Sequence, residues 1–289
     1  MGEIVYLNGR LLDANQAKID PAVQGFLYGA GLFETMRAYS GRIFLLNRHL
    51  ERLLASARAL DIEGLDAGEM EEACRSVVAA NKLDSARVRL TVSRGIAKTF
   101  TSAPGPPTVL IQARLFTPPL PEKYRQGYRV QISGIRRCSG SLLVCHKTTS
   151  YFDCLLARTR AAAASYDEAL FLNEKDHLTE GSISNLFLVS GDGTLYTPPL
   201  DAGLLPGITR GLVLELAAEL GIKASQENIR PQDLAAFSGA FVTNSLIEIM
   251  PLRSITDEAG KEFVFSAGEA TELLQKSYRE TVTKAITGA

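Results

Sequence analysis

The stretch LTEGSISNLF, residues 178–187, places one acidic residue in a turn of small residues that leads into an apolar run. Glu180 is that acid, and the apolar run predicts a strand over residues 183–189. A carboxylate at such a place can pair with the cationic nitrogen of a bound ring. The same pattern also fits a solvated acid in an ordinary turn, so its meaning depends on the rest of the chain.

A lysine among uncharged neighbours is the second feature. The run CHKTTSY, residues 145–151, carries Lys147 immediately before a helix that we predict over residues 148–164. A lysine at such a junction can be partly desolvated, which favours the neutral amine that imine formation requires. A surface lysine beside a helix start is the alternative interpretation.

Two further stretches are typical of phosphate binding. The run LLPGITR, residues 204–210, is a glycine turn that opens a helix predicted over residues 209–220, and amides at a helix start bind anions. The run FVTNS, residues 241–245, is a strand ending in three polar residues that can donate to a phosphate. Taken alone, such stretches are more often an ordinary capped helix start and a simple turn.

The composition limits the classes of protein to consider. The chain has 289 residues, of which 46% are hydrophobic and 22% charged, so disorder, a collagen-like repeat and a disulfide scaffold are excluded. The formal net charge of -1 gives no general electrostatic case for nucleic acid or an anionic membrane. There is no run of about 18 apolar residues, and the first residues lack the pattern of a signal peptide, so we expect a cytoplasmic protein.

The cysteines favour free thiols over a metal site. The four cysteines form no C-x-x-C pair, and the chain has only three histidines. We therefore expect no zinc and no disulfides, as in a reducing compartment.

Prolines divide the chain into two parts. The run FTPPLP, residues 116–121, has three prolines in four positions, and neither a helix nor a strand continues through it. We predict a small α+β domain at residues 1–116, a linker at residues 117–122 and a larger domain at residues 123–289. Length alone also predicts about two domains, at roughly 150 residues each.

Periodicity predicts the main elements of each part. In the first part Asn47 is predicted to cap a helix with an apolar stripe, and a second helix covers residues 67–82. Residues 87–93 alternate strictly, which puts Val88, Leu90 and Val92 on one face of a strand and Arg89 on the other. Further elements are strands over 108–115, 129–135, 168–172 and 239–243 and a last helix over 266–283. Short strands interspersed with helices favour an α+β fold or a barrel-like second domain.

Together and in this order, the stretches resemble the class IV aminotransferases, the fold-type IV pyridoxal phosphate enzymes. This family includes branched-chain aminotransferase, D-amino acid aminotransferase and aminodeoxychorismate lyase. The most specific stretches are FLYGAGLFETMR at 26–37, RHLERL at 48–53, and residues 179–187 and 205–210. The resemblance implies a small α+β domain and a larger pseudo-barrel domain, with pyridoxal 5'-phosphate between them. It also implies a homodimer in which the partner contributes to each substrate pocket.

The resemblance assigns roles to individual residues. Lys147 matches the lysine that forms the internal aldimine and then moves a proton as general acid and base. Glu180 matches the acid facing the pyridine nitrogen, which keeps the ring protonated so that it can delocalise a carbanion. Arg52 matches the arginine on the cofactor phosphate. The remaining cofactor contacts that it implies are Leu205, on the ring, and Ile208, Thr209 and Ser245, on the phosphate.

The branch of the family stays open at this point. The residues after Gly95 lack the Arg-x-His pair of D-amino acid aminotransferases. The run TTSY after Lys147 differs from the Gly-Gly-Asn-Tyr of branched-chain enzymes and puts Tyr151 at a shifted place. Tyr28 and Arg89 match branched-chain pocket residues. The lyases also have a basic residue at the position of Arg89, and residues 93–95 and a second basic residue near Lys98 or Thr99 resemble them in part.

We therefore predict an aminotransferase that moves an amino group between an α-amino acid and an α-keto acid. The alternative is aminodeoxychorismate lyase, which makes 4-aminobenzoate and pyruvate. A cofactor-binding protein without catalysis is a third interpretation, but it would not need Lys147, Glu180 and Arg52 together. The residues that we assign to the substrate pocket are Tyr28, Phe33, Arg89, Lys98 and Asn244.

Overall fold

The computed structural model describes residues 2–99 and 101–288. Its strands are β1 (Ile4–Leu7), β2 (Arg10–Asp13), β3 (Gly31–Tyr39), β4 (Arg42–Ile43), β5 (Ala86–Ser93), β6 (Thr108–Leu115), β7 (Tyr128–Arg137), β8 (Glu168–Asn173), β9 (Leu178–Gly181), β10 (Asn185–Ser190), β11 (Leu195–Thr197), β12 (Ala224–Gln226), β13 (Phe237–Asn244), β14 (Glu248–Thr256) and β15 (Glu262–Val264). Its α-helices are α1 (Gln24–Tyr28), α2 (Leu46–Ala59), α3 (Ala67–Ala80), α4 (Pro121–Gln126), α5 (Phe152–Ala163), α6 (Ile208–Glu219) and α7 (Glu269–Thr287). No helix in this described part is both long and apolar enough to span a membrane.

The described chain forms two compact units. The first contains the chain up to Thr117, the segment His146–Tyr151 and the chain from Lys284. The second contains Pro118–Cys145 and Phe152–Thr283. The bounds differ from the predicted domains chiefly at His146–Tyr151, which was predicted to belong to the larger domain.

The first unit is built on a six-stranded antiparallel sheet. Its strand order is β2-β1-β6-β5-β3-β4, and α2 and α3 pack on the sheet. The predicted alternation in β5 is confirmed, since Val88, Leu90 and Val92 are fully buried and Arg87 is exposed. The core of this unit therefore lies between one face of the sheet and the apolar stripes of the two helices.

The second unit contains a closed ring of six strands. The order β10-β13-β14-β7-β8-β9 returns to β10, because Asn185 on β10 pairs with Glu180 on β9. β7 runs parallel to both of its neighbours, and the other contacts in the ring are antiparallel. The ring confirms the predicted pseudo-barrel, and it places Glu180 at the seam where the barrel closes.

Several predicted boundaries are wrong. Asn47 does not cap α2, which begins at Leu46 after Leu45 in a left-handed conformation (φ 52°). The helix predicted over residues 148–164 begins only at Phe152, because residues 147–149 pair with β3 instead. The predicted linker runs into α4, whose first residue is Pro121, since proline suits the first turn of a helix. The barrel strands β9 and β14 were not predicted.

Candidate active site

Lys147 is held by backbone pairing to β3. The amide of Phe33 donates to the Lys147 carbonyl at 2.9 Å, and the amide of Thr149 donates to the Gly31 carbonyl at 2.8 Å. A Cβ atom at Gly31 would lie 2.5 Å from the Val92 carbonyl oxygen, so only glycine allows this close packing at the start of β3. Backbone hydrogen bonds therefore hold the segment that carries Lys147 beside the start of β3.

Two aromatic rings surround the Lys147 amine. Its Nζ lies 4.7 Å from the centre of the Phe33 ring and 5.6 Å from that of Tyr151. The two rings contact each other edge to face, with centres 5.2 Å apart. Phe33 is buried and Lys147 is half-buried, which is the partly desolvated setting that the sequence predicted.

Arg89 stacks on the same phenylalanine. Its Cζ atom lies 3.9 Å from the centre of the Phe33 ring, and its Nε donates to Thr91 Oγ1 at 3.3 Å. Burial and the nearby charge of Arg87 lower the pKa of Arg89, while Tyr151 raises it. The structure thus brings three predicted residues together: Lys147, Phe33 and Arg89.

Arg52 lies on α2 and forms a buried ion pair with Glu34 of β3. Its Nε donates to Glu34 Oε1 at 2.8 Å and its Nη2 to Glu34 Oε2 at 2.6 Å. His49, one helical turn earlier, places Nδ1 2.7 Å from Glu34 Oε2. Burial raises the pKa of the Glu34 carboxyl, but Arg52 and His49 outweigh it and lower that pKa to about 2. Arg52 is therefore a rigidly held cation and not a solvated charge on the helix surface.

The charges of Arg52 and Lys147 both affect the pKa of His49. Burial lowers its pKa, Glu34 raises it, and the charges of Arg52 and Lys147 lower it further. The net direction of the His49 pKa is downward, with burial as the largest cause. The charges of Arg52 and Lys147, two residues predicted for the site, thus both lower the pKa of the same buried histidine.

Glu180 is a buried carboxylate in the second unit. Its Oε1 accepts a hydrogen bond from Arg137 Nη2 at 3.0 Å, and its Oε2 accepts one from the Leu205 amide at 3.1 Å. Asn185 Nδ2 lies 3.4 Å from Oε2 and donates to the Leu205 carbonyl at 3.0 Å. Two predicted residues, Glu180 and Leu205, are therefore in direct contact.

The start of α6 packs closely on Asn185. The cap residue is Gly207, and a Cβ atom there would lie only 1.9 Å from Asn185 Oδ1. Thr209 is buried in the first turn, and Ile208 is half-buried. The amides at the start of a helix are suited to an anion, so the geometry fits the predicted phosphate contacts.

The other predicted residues lie at the ends of elements or between them. Asn244 ends β13, and its side chain donates to the Ile183 carbonyl at 3.1 Å and accepts from the amides of Leu246 and Ile247 at 2.9 Å. These bonds build the turn that carries Ser245. Tyr28 on α1 and Lys98 are exposed, and their substrate roles stay predictions.

Sequence reasoning missed four residues of the site: Glu34, His49, Arg137 and Asn185. His49 and Arg52 are three residues apart on α2 and so share a face, which was a usable signal. The partner of Arg137 is 43 residues away in sequence, and no periodic pattern reveals such a pair.

Comparison with known proteins gives the family. The profile of the family described as amino-transferase class IV matches residues 31–255. The chain belongs to the class IV aminotransferases. It is therefore an enzyme of a pyridoxal phosphate-dependent family, as the sequence predicted.

Individual relatives cover almost the whole chain. An aminodeoxychorismate lyase of Bacillus subtilis is 33% identical over 288 residues, 98% of this chain and 96% of the relative. The crystal structure of a branched-chain aminotransferase from Thermoproteus uzoniensis with norvaline is 32% identical, with a TM-score of 0.87 over 96% of this chain and 94% of that one. The T.th. branched-chain aminotransferase complexed with N-(5'-phosphopyridoxyl)-L-glutamate is 28% identical, with a TM-score of 0.86 over 100% and 95% of the two chains. The fold-type IV prediction is confirmed.

Proposed function

We propose that the chain is an aminotransferase that binds pyridoxal 5'-phosphate and moves an amino group between an α-amino acid and an α-keto acid. The observation that carries the proposal is the placing of Lys147 and Arg89 on one buried ring, that of Phe33. An α-amino acid carries its amine and its carboxylate on neighbouring atoms. An amine that exchanges imines beside a guanidinium that binds carboxylates matches this substrate class.

The residues present fit the cofactor. A half-buried lysine amine suits its aldehyde, a buried carboxylate suits its ring nitrogen, and a helix start opened by glycine suits its phosphate. When bound, pyridoxal phosphate supplies a ring that takes up the electron pair released when a bond at the substrate Cα breaks.

The protein's own groups then act at defined atoms. Lys147 Nζ binds the cofactor and carries the proton between the substrate Cα and the cofactor carbon. Glu180 holds the proton on the ring nitrogen, and Leu205 packs on the ring. Arg52 and Ser245, with the amides of residues 208 and 209 and the Thr209 hydroxyl, bind the phosphate. Tyr28, Lys98 and Asn244 complete our proposed substrate pocket.

A second function has support from one relative. The lyase of Bacillus subtilis is as similar to this chain as the aminotransferase of known structure, at 33% and 32% identity. The chain also resembles lyases at residues 93–95 and by the basic Lys98. A lyase releases pyruvate from aminodeoxychorismate and needs no keto-acid acceptor, so the two functions differ in their requirements.

We also propose a homodimer. The short helix α1 exposes three large side chains in a row, with Phe26 75%, Leu27 51% and Tyr28 56% exposed. Exposed apolar surface of this kind is typical of an interface. Sedimentation of the purified protein at twice the monomer mass is the expected result, and a monomer would contradict the proposal.

A panel of substrates tests the function. The holoenzyme is incubated with amino donors and keto acids in pairs and, separately, with aminodeoxychorismate alone. Amino transfer that requires both partners supports the aminotransferase. Pyruvate from aminodeoxychorismate without an acceptor, and no transfer between any pair, would replace it with the lyase.

A further inference from the structure

Arg137 forms a buried ion pair with the carboxylate of Glu180. Arg137 is the last residue of β7, and its Nη2 donates to Glu180 Oε1 at 3.0 Å. The two side chains are only 18% and 7% exposed. Solvent screens such a pair weakly, so each charge strongly favours the ionised state of the other.

Buried neighbours fix the position of the Arg137 guanidinium. Its Cζ lies 4.7 Å from the centre of the Phe171 ring, and its Nη2 lies 3.2 Å from Cys154 Sγ. Phe171 and Cys154 are both buried. A planar guanidinium stacked on a ring keeps one orientation, and it therefore fixes the direction of the carboxylate that it binds.

The other oxygen of Glu180 also accepts hydrogen bonds. The Leu205 amide donates to Oε2 at 3.1 Å, and Asn185 Nδ2 lies 3.4 Å from the same atom. Both carboxylate oxygens thus accept from donors that favour the anion. A buried carboxyl without such partners would instead favour its neutral, protonated form.

We propose that Arg137 is a positioning residue that keeps Glu180 ionised and correctly oriented, so that Glu180 holds the proton on the cofactor ring nitrogen by charge and does not take it. This inference rests on the proposed function, because it assumes that Glu180 faces that nitrogen. Arg137 acts only through Glu180 and touches neither substrate nor cofactor in this proposal.

The neighbouring arginine provides a matched control. Arg136 precedes Arg137 on β7 but pairs with Glu258, with its Nη1 2.7 Å from Oε1 and its Nη2 2.6 Å from Oε2. Its side chain is 35% exposed, and its second acidic partner is Asp176. Arg136→Gln therefore removes the same charge from the same strand, together with a more exposed ion pair, without changing the partners of Glu180.

The test compares four holoenzymes: Arg137→Gln, Arg136→Gln, Glu180→Gln and the double variant Arg137→Gln/Glu180→Gln. Two quantities are measured, kcat and the pH midpoint of the visible absorbance of the bound cofactor. We expect Arg137→Gln to lower kcat about ten-fold or more and to shift the midpoint by about one pH unit or more. Arg136→Gln should match the wild type in both. The double variant should match Glu180→Gln within about two-fold, since the effect of Arg137 passes through Glu180.

Two results overturn the inference. One is an Arg137→Gln profile equal to that of Arg136→Gln. The other is an effect of Arg137→Gln that persists in full when Glu180 is already glutamine. If Arg137→Gln does not fold, the double variant decides alone: it must fold, because both charges are gone, and its profile must equal that of Glu180→Gln.

Failure of the proposed function gives a different result. In that case the wild-type protein neither binds pyridoxal phosphate nor transfers an amino group, and the inference falls with it. A wild type that does both, with a normal Arg137→Gln variant, overturns only the inference.

Discussion

Arg89 and Lys147 share the ring of Phe33, although both side chains are cationic. Two positive groups near each other repel, and partial burial increases the cost. Burial and the positive charge of the neighbouring Arg87 lower the pKa of Arg89. A substrate carboxylate on Arg89 would relieve this repulsion, which is a physical reason for it to bind there.

Loss of Arg89 should weaken substrate binding and leave the cofactor in place. We expect Arg89→Leu to raise KM or to lower kcat/KM about ten-fold or more, while the cofactor absorbance stays normal. Arg87→Leu is the control, because Arg87 lies on the same strand with its side chain exposed. An Arg89→Leu enzyme that binds carboxylate inhibitors as tightly as the wild type would contradict the role.

Glu180→Gln should retain pyridoxal phosphate but lose most turnover. The amide has nearly the same shape, but it has no charge to hold the ring nitrogen protonated. We expect kcat to fall roughly a hundred-fold or more, with cofactor content unchanged by absorbance. Near-normal turnover in a variant that binds the cofactor would refute the role of Glu180.

At the scale of elements, the start of α6 depends on a glycine that allows a close approach. Gly207 has ordinary backbone angles (φ -66°), so its requirement is spatial: a Cβ would lie 1.9 Å from Asn185 Oδ1. The Asn185 side-chain amide in turn lies between the Leu205 carbonyl and the Glu180 carboxylate, at 3.0 and 3.4 Å. Gly207, at the proposed phosphate site, therefore packs on the same asparagine that contacts the Glu180 carboxylate.

Gly207→Ala and Gly211→Ala should have opposite effects. Both glycines lie at the start of α6, but a Cβ at Gly211 meets nothing within 4 Å. We expect Gly211→Ala to stabilise the protein by roughly 0.5–1 kcal/mol, since alanine favours a helix interior. Gly207→Ala should lower the Tm and weaken pyridoxal phosphate binding. Equal cofactor affinity in the two variants, measured by titration of apoprotein, would show that the packing at Gly207 is unimportant.

At the scale of the whole molecule, the buried ion pair of Glu34 should contribute to acid stability. Its pKa is lowered from the ordinary value of 4.5 to about 2, so its contribution is present above pH 4.5. The contribution is lost as the pH falls through the window from 4.5 to 2, because the unfolded chain then takes up the proton more readily than the folded one. The size is on the order of 3 kcal/mol.

Glu34→Gln should therefore flatten the acid part of the stability curve. The variant is less stable than the wild type at pH 7, because Arg52 and His49 lose their anionic partner, and the difference should shrink towards about pH 2. Urea unfolding at several pH values measures this difference. A difference between the two proteins that stays constant across the whole acid range would contradict the lowered pKa.

Local patterns predicted much of the fold and site, whereas long-range pairing did not show in the sequence. The alternation in β5 is local and is confirmed. Glu180 was predicted in a turn but lies on β9, because it pairs with Asn185 where the barrel closes. The pairing of Lys147 with Phe33 joins residues distant in the chain, and it replaced the predicted helix start because β3 offered backbone partners. Arg137 lacked any local signal, since its role depends on how the barrel closes.

Covalent attachment of the cofactor is the most direct test of the proposed function. The purified holoenzyme is treated with borohydride, which reduces an imine to a stable secondary amine, and is then digested for mass spectrometry. We predict that the visible absorbance bleaches and that the phosphopyridoxyl mass is found on the peptide containing Lys147. A reduced adduct on a different lysine, or none in a protein loaded with pyridoxal phosphate, would contradict the central role of Lys147.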